Sequence, residues 1–186
     1  MQIGFAICGS FCTFSKIFPI LELLTRDYKV IPIVSQAVAT TDTRFGTAKE
    51  HLQTIAELCG QKPLQSITDV EPLGPKKLLD ALVIAPCTGN TLGKIAHGIT
   101  DGPVTMATKS HLRNSRPVLV AISTNDGLSG SAGNIGALLN RKNMYFVPFG
   151  QDDPFGKPTS IVADFSHIPD ALAAALKGRQ LQPILL

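Results

Sequence analysis

Solid apolar runs, rather than alternating ones, dominate the pattern of this chain. "IGFAICG" (3–9) is almost continuously apolar and ends in glycine. "KVIPIVS" (29–35), the end of "KKLLDALVIAP" (76–86), "RPVLVAIS" (116–123) and "MYFVPFG" (144–150) have the same form. Such runs read as strands covered on both faces, the habit of a parallel sheet between helix layers. Between them the apolar positions switch to helical spacing. In 10–27, Phe14, Ile17, Phe18, Leu21 and Leu24 share one helix face, and Pro19 predicts an interruption or a kink. Segment 41–60 starts as loop and becomes a helix, with Gly60 as its C-terminal stop. Further helices are expected over 91–99, 103–114 (proline in its first turn), 131–142 and 165–180. Pro32 predicts an edge position or a bulge for the second strand.

Strands and helices alternate, with connections long enough for right-handed crossovers. The expected fold is a single three-layer, doubly wound α/β domain over 1–186, with a mainly parallel sheet of flavodoxin- or Rossmann-like type. Composition agrees: 44% hydrophobic and 17% charged residues describe a globular chain with a real core. A net charge of +3, no tryptophan and no basic cluster interleaved with aromatics argue against nucleic acid as a partner. The first ten residues lack a basic leader and read as a strand, not a signal peptide. No apolar segment approaches the roughly 18–20 residues of a membrane span, so no membrane association and a cytoplasmic location are expected. Of four cysteines, none forms a C-x-x-C pair; Cys8 and Cys87 sit in apolar runs and read as small hydrophobes, whereas Cys12 falls in a loop assigned to binding.

In such folds ligands bind at the carboxyl ends of the strands. The first strand ends in "CGSFCTFSK" (8–16). Gly9 permits a sharp turn, Ser10 and Thr13 offer hydroxyls where helix amides favour an anion, and Lys16 adds charge about one turn on. The loop is neither G-x-G-x-x-G nor a Walker loop, and an ordinary capped turn would look the same. Ser35 closes the second strand. "APCTGNTLGKIAHGITDGP" (85–103) repeats the logic: Pro86 stops the strand, Thr88, Asn90 and Thr91 surround Gly89, and Lys94 follows. In "AISTNDGLSGSAGN" (121–134), Ser123, Thr124, Asn125 and Asp126 follow a strand directly; a plain exposed connection is the alternative.

Together these loops resemble the flavoprotein family of FMN-containing cysteine and phosphopantothenoylcysteine decarboxylases. That family opens with a Gly-Ser loop followed by a lysine. Its middle segment reads A-P-x-[ST]-A-N-T-x-x-K-x-x-x-G-x-x-D, which 85–101 matches with Gly89 in place of alanine. The resemblance implies FMN held by the loops around Gly9, Ser10, Thr13 and Lys16, by Ser35, by Pro86 to Thr91 and by Ser123 and Thr124. It implies a substrate carboxylate at Asn125, and a homo-oligomer. The family's catalytic histidine, shortly before the third strand, has no counterpart in 70–80, which disfavours cysteine decarboxylation. Segments 40–46, 71–91, 116–128, 146–160 and 180–185 are similar to a narrower branch, the B subunits of dipicolinate synthases. That similarity implies an A subunit of dipicolinate synthase as partner, and a place in the mother cell of a spore former. The reaction it implies is an NADP/NADPH-linked oxidation of dihydrodipicolinate to dipicolinate, with the nicotinamide reached through the A subunit.

Such a reaction must hold two carboxylates, accept a proton and position a hydride acceptor. Arg44 is a candidate carboxylate clamp, with a solvated surface arginine as the alternative. "GQDDPFGKP" (150–158) reads as turn chemistry more readily than as a metal site or an acid–base pair. His97 reads as structural rather than catalytic, no catalytic residue is assigned, and no metal is expected. The terminal "LQPILL" reads either as a docking strap for the A subunit, in a chain acting as a scaffold, or as a tail packed on its own domain.

Overall fold

The computed structural model describes residues 1–186. Its elements run β1 (Gln2–Ile7), α1 (Phe14–Asp27), β2 (Lys29–Val34), α2 (Gln36–Thr40), α3 (Ala48–Cys59), α4 (Ile67–Val70), β3 (Ala81–Cys87), α5 (Gly89–Ala96), α6 (Pro103–Arg113), β4 (Val118–Thr124), α7 (Ala132–Leu139), β5 (Met144–Phe146), β6 (Phe149–Gly150), β7 (Ile161–Ala163) and α8 (Ile168–Ala175). Strands β2-β1-β3-β4-β5 form a parallel sheet, the doubly wound order expected. Every residue of β3 is buried, as its unbroken apolar run requires. Phe5, Ile7, Leu82, Ile84 and Val120 have no exposed surface.

β2 is an edge strand, as Pro32 predicted. Its outer side is partly closed by Leu64, whose amide donates to the Pro32 carbonyl (2.9 Å) and whose carbonyl accepts from Val34 (3.0 Å). α3 opens on a Thr47–Glu50 capping box and stops at Gly60, which adopts φ 65°.

Three expectations need correction. α1 begins at Phe14, after a 3-10 turn over Phe11–Thr13, and runs unbroken through Pro19. The proline forfeits one backbone bond in the second turn, while buried Phe14, Ile17, Leu21 and Leu24 hold the helix on the sheet. The closing helix is shorter than its apolar spacing suggested: it ends at Ala175, and Gly178 takes φ 71° just beyond. Finally, the fifth strand is two strands. β5 pairs in parallel with the first half of β4, whereas β6 turns away and pairs antiparallel with β7. β7, which no sequence signal announced, pairs antiparallel with Ser123 and Thr124 at the end of β4. Pro148 sits at the division; it has no amide to donate, and its carbonyl accepts from Asp164 (2.9 Å).

The C-terminal tail packs on its own sheet. Phe149 donates to Ile184 (3.0 Å) and Leu186 donates back to Phe149 (3.1 Å), so the tail closes the free edge of β6. No helix is long and apolar enough to cross a membrane.

Candidate functional site

Three strand-end loops meet at the carboxyl edge of the sheet. The Ser10 hydroxyl, after β1, lies 2.8 Å from the Ser123 hydroxyl at the end of β4. The loops after β1 and β3 are joined from below: Cys8 donates its amide to the Pro86 carbonyl (3.2 Å), and the Thr91 hydroxyl points to the Cys8 sulfur (3.4 Å). The loops after β3 and β4 are joined at Gly89. A β-carbon there would fall 2.6 Å from Thr124 Oγ1, 2.7 Å from Ser131 Oγ and 2.8 Å from Asp126 Oδ1. Glycine at 89 therefore makes room for a carboxylate. Asp126 Oδ1 accepts from the hydroxyls of Thr124 and Ser131. Those bonds, Thr124 foremost, hold its carboxyl below the usual carboxylate range. The first turn of α5 beside it also favours a negative charge.

The loops enclose a cleft of about 720 Å³, lined by Gly9, Ser10, Thr13 and Lys16, by Thr88, Gly89 and Asn90, and by Ser123, Thr124 and Asn125. A second lobe of about 360 Å³ shares Gly9, Thr88 and Asn90 and adds Ser35, Thr91 and Lys94. Thus all but two of the residues singled out in the sequence face one or other lobe. Pro86 is the first exception: it does not stop the strand as expected but lies within fully buried β3, which pairs on through Cys87, and its carbonyl is spent on Cys8. Arg44 is the second. It is absent from the lining, and its guanidinium lies 4.8 Å over the neighbouring Phe45 ring.

Several hydroxyls are already committed. Thr88 caps α5 by accepting from the Thr91 amide (3.4 Å), and Thr13 donates to the Ser10 carbonyl (2.7 Å). Lys94 is paired with Asp101 at 2.8 Å, which holds the Asp101 carboxyl below its usual range. Ser35 is different. Its hydroxyl is buried at the lining of the smaller lobe and has no hydrogen-bond partner. A buried polar group left unpaired costs about 1–3 kcal/mol, which a ligand oxygen in this lobe would recover.

None of the four histidines lines either lobe. His97 bonds the Gly93 carbonyl through Nδ1 (2.9 Å), a structural contact. His51 is buried against Phe11, Phe14 and Phe18, and this burial lowers its pKa. His111 is buried at the other end of the sheet, beside Arg116.

The larger lobe is also lined by residues that the sequence did not assign to it: Phe11 after β1, Thr43 and Phe45 from the turn before α3, Lys157 from the β6–β7 loop and Val162 from β7, together with Asp152, whose segment read as a turn. The β6–β7 loop is the turn its composition implied. Asp153 Oδ1 accepts from the Gly156 amide (2.8 Å), while Asp152 faces the cleft and pairs with Lys157 at 3.3 Å. The antiparallel return of β7 brings them there, and no local signal reports that.

Comparison with known proteins fits this geometry. The family model described as Flavoprotein matches residues 1–149. The dipicolinate synthase B subunit of Bacillus subtilis is 48% identical over the full chain, which covers 93% of that protein. The crystal structure of the dipicolinate synthase B subunit from Bacillus halodurans superposes with a TM-score of 0.91 at 45% identity, covering 100% of this chain and 95% of that one. A more distant neighbour, Burkholderia xenovorans DmrB in complex with FMN, shares the fold, with a TM-score of 0.69 at 17% identity over 95% of each chain. With its sheet order, its strand-end cleft and end-to-end similarity to these relatives, the chain belongs to the Flavoprotein family.

Proposed function

We propose that this chain is the flavin-binding member of a two-subunit dipicolinate synthase, and that it works with a separate polypeptide to oxidise dihydrodipicolinate to dipicolinate. The observation that carries the reading is the single two-lobed cleft, formed by three strand-end loops on a chain that aligns end to end with one component of a dipicolinate synthase. The reaction removes a hydride and a proton from a dihydropyridine dicarboxylate, and aromatisation of the ring drives it.

The residues fit FMN. Unpartnered Ser35, together with Ser10, Asn90 and the first turn of α5, offers the donors that a phosphorylated ligand needs. FMN, when bound, supplies a two-electron acceptor; the NADP/NADPH couple belongs to the partner polypeptide. The chain's own share is to hold the substrate against that acceptor. Asn125 presents an amide to a substrate carboxylate, and Lys16 lends positive charge to the same cleft. A homo-oligomer and a location in the cytoplasm of a sporulating mother cell belong to the same proposal.

Decarboxylation of a cysteinyl substrate is disfavoured, because no histidine reaches the cleft. The test is reconstitution: the partner polypeptide with NADP, with and without this chain, following dipicolinate formation. Addition of the chain should raise turnover, and Asn90→Ala and Asn125→Ala should each lower it by about tenfold or more. Full turnover with both variants would contradict the reading and leave the chain as a scaffold.

A further inference from the structure

We infer that Lys157 is the residue with which the cleft recognises a carboxylate of its substrate, and that Asp152 holds it in reserve until the substrate arrives. The inference rests on the function proposed above and adds a substrate contact that the sequence did not suggest.

Charge in the cleft leads to it. Lys16 and Lys157 are the only cationic side chains lining the larger lobe, and Asp126 and Asp152 the only anionic ones. Asp126 is already engaged by Thr124 and Ser131. Arg44, the guanidinium suited to a carboxylate, lies outside the lining and over Phe45. A dicarboxylate therefore meets two lysines and the Asn125 amide. Lys16 comes from α1, whereas Lys157 comes from the same frame as Asn125.

That frame is rigid. Within the loop, Gln151 donates to the Pro158 carbonyl (2.8 Å) and Ser160 to the Lys157 carbonyl (3.0 Å). Two bonds then join the loop to the site: Thr159 Oγ1 to the Asn125 carbonyl (2.7 Å), and the Leu128 amide to the Thr159 carbonyl (2.9 Å). Backbone position is thus fixed, while the lysine stem remains free to swing.

The pair with Asp152 is made to be broken. At 3.3 Å, with about half of the lysine side chain exposed, it is a weak surface contact. The Ser160 hydroxyl and then Lys157 keep the Asp152 carboxyl below its usual range, so it stays charged and competes with an incoming carboxylate. A substrate carboxylate lodged between Asn125 and Lys157 adds a charge-assisted hydrogen bond in a more enclosed place and takes the ammonium from Asp152.

The competition has a signature that a merely structural ion pair lacks, because the two partners respond in opposite directions. Binding of dipicolinate, and of picolinate with its single carboxylate, is measured by calorimetry on the full chain. Lys157→Met should weaken dipicolinate by about tenfold and picolinate far less, and Lys157→Arg should restore most of the loss. Asp152→Asn should tighten dipicolinate several-fold. Thermal melts confirm that each variant is folded. Unchanged dipicolinate affinity in Lys157→Met, or weaker binding in Asp152→Asn, overturns the inference. So does a parent chain that binds no dipicolinate, and in that case turnover with the partner polypeptide separately decides the proposed function.

Discussion

The two halves of β4 belong to different structures. Val118–Val120 pair in parallel with β3 and β5, and all three residues are buried. Ser123 and Thr124, three residues on, pair antiparallel with β7 and line the cleft. The first half is held by apolar burial that any branched aliphatic side chain would supply. The second is held by a few directed hydrogen bonds and a shape that admits little change. One strand therefore carries both the stability of the body and the geometry of the site, and the two should respond to perturbation in different ways.

The body should be the more costly to damage. Phe5→Ala, at a position without exposed surface, should destabilise the chain by about 4 kcal/mol in urea unfolding. A cost under about 1 kcal/mol would mean that the parallel core is not the source of stability.

Acid should reach the body next, from the end opposite the cleft. Burial, helped by the nearby Arg116 charge, lowers the His111 pKa from 6.5 to about 4. The folded chain thus binds this proton less readily than the unfolded chain. Stability is full above the unfolded value and falls as pH drops from about 6.5 toward 4, by up to about 3 kcal/mol. His51, also lowered by burial, adds to the same slope. Chemical unfolding at a series of pH values should show this loss, and His111→Gln should remove the larger part of it.

The rim should show the converse balance. In Gly89→Ala the new methyl group meets Thr124, Ser131 and Asp126, at a cost of about 2 kcal/mol. FMN affinity should suffer more than stability, because the Asp126 cluster and the first turn of α5 must part. Equal affinity for FMN in this variant would separate the cluster from the site. Phe155→Ala marks the lower end of the scale. This ring is 99% exposed at the tip of the β6–β7 loop, and its removal should shift stability by less than about 0.5 kcal/mol.

The same contrast explains what was legible in the sequence. β1, β3 and the first half of β4 announce themselves as apolar runs, because burial on both faces admits little else. The loops after β1 and β3 were legible because glycine, hydroxyl and amide residues cluster directly behind those runs. The β6–β7 region was not. Its strands are two and three residues long, too short for a period to emerge, and what places them is the pairing of Ser123 with Val162, far along the chain. Lys157 is invisible for that reason, and Arg44, legible as chemistry, lies outside the lining although its neighbours Thr43 and Phe45 belong to it, because nothing local tells on which side of a turn a side chain emerges. Pro19 shows the opposite error: a strong local signal overridden by a buried helix face.

That the strand-end loops act as one ligand site is the central claim. A crystal structure of the chain soaked with FMN tests it most directly. Flavin density is expected in the two-lobed cleft, with a ligand oxygen within hydrogen-bond distance of Ser35 Oγ and with Asn90 beside it. Flavin bound at the opposite edge of the sheet, or a cleft that stays empty in saturating FMN, would contradict it.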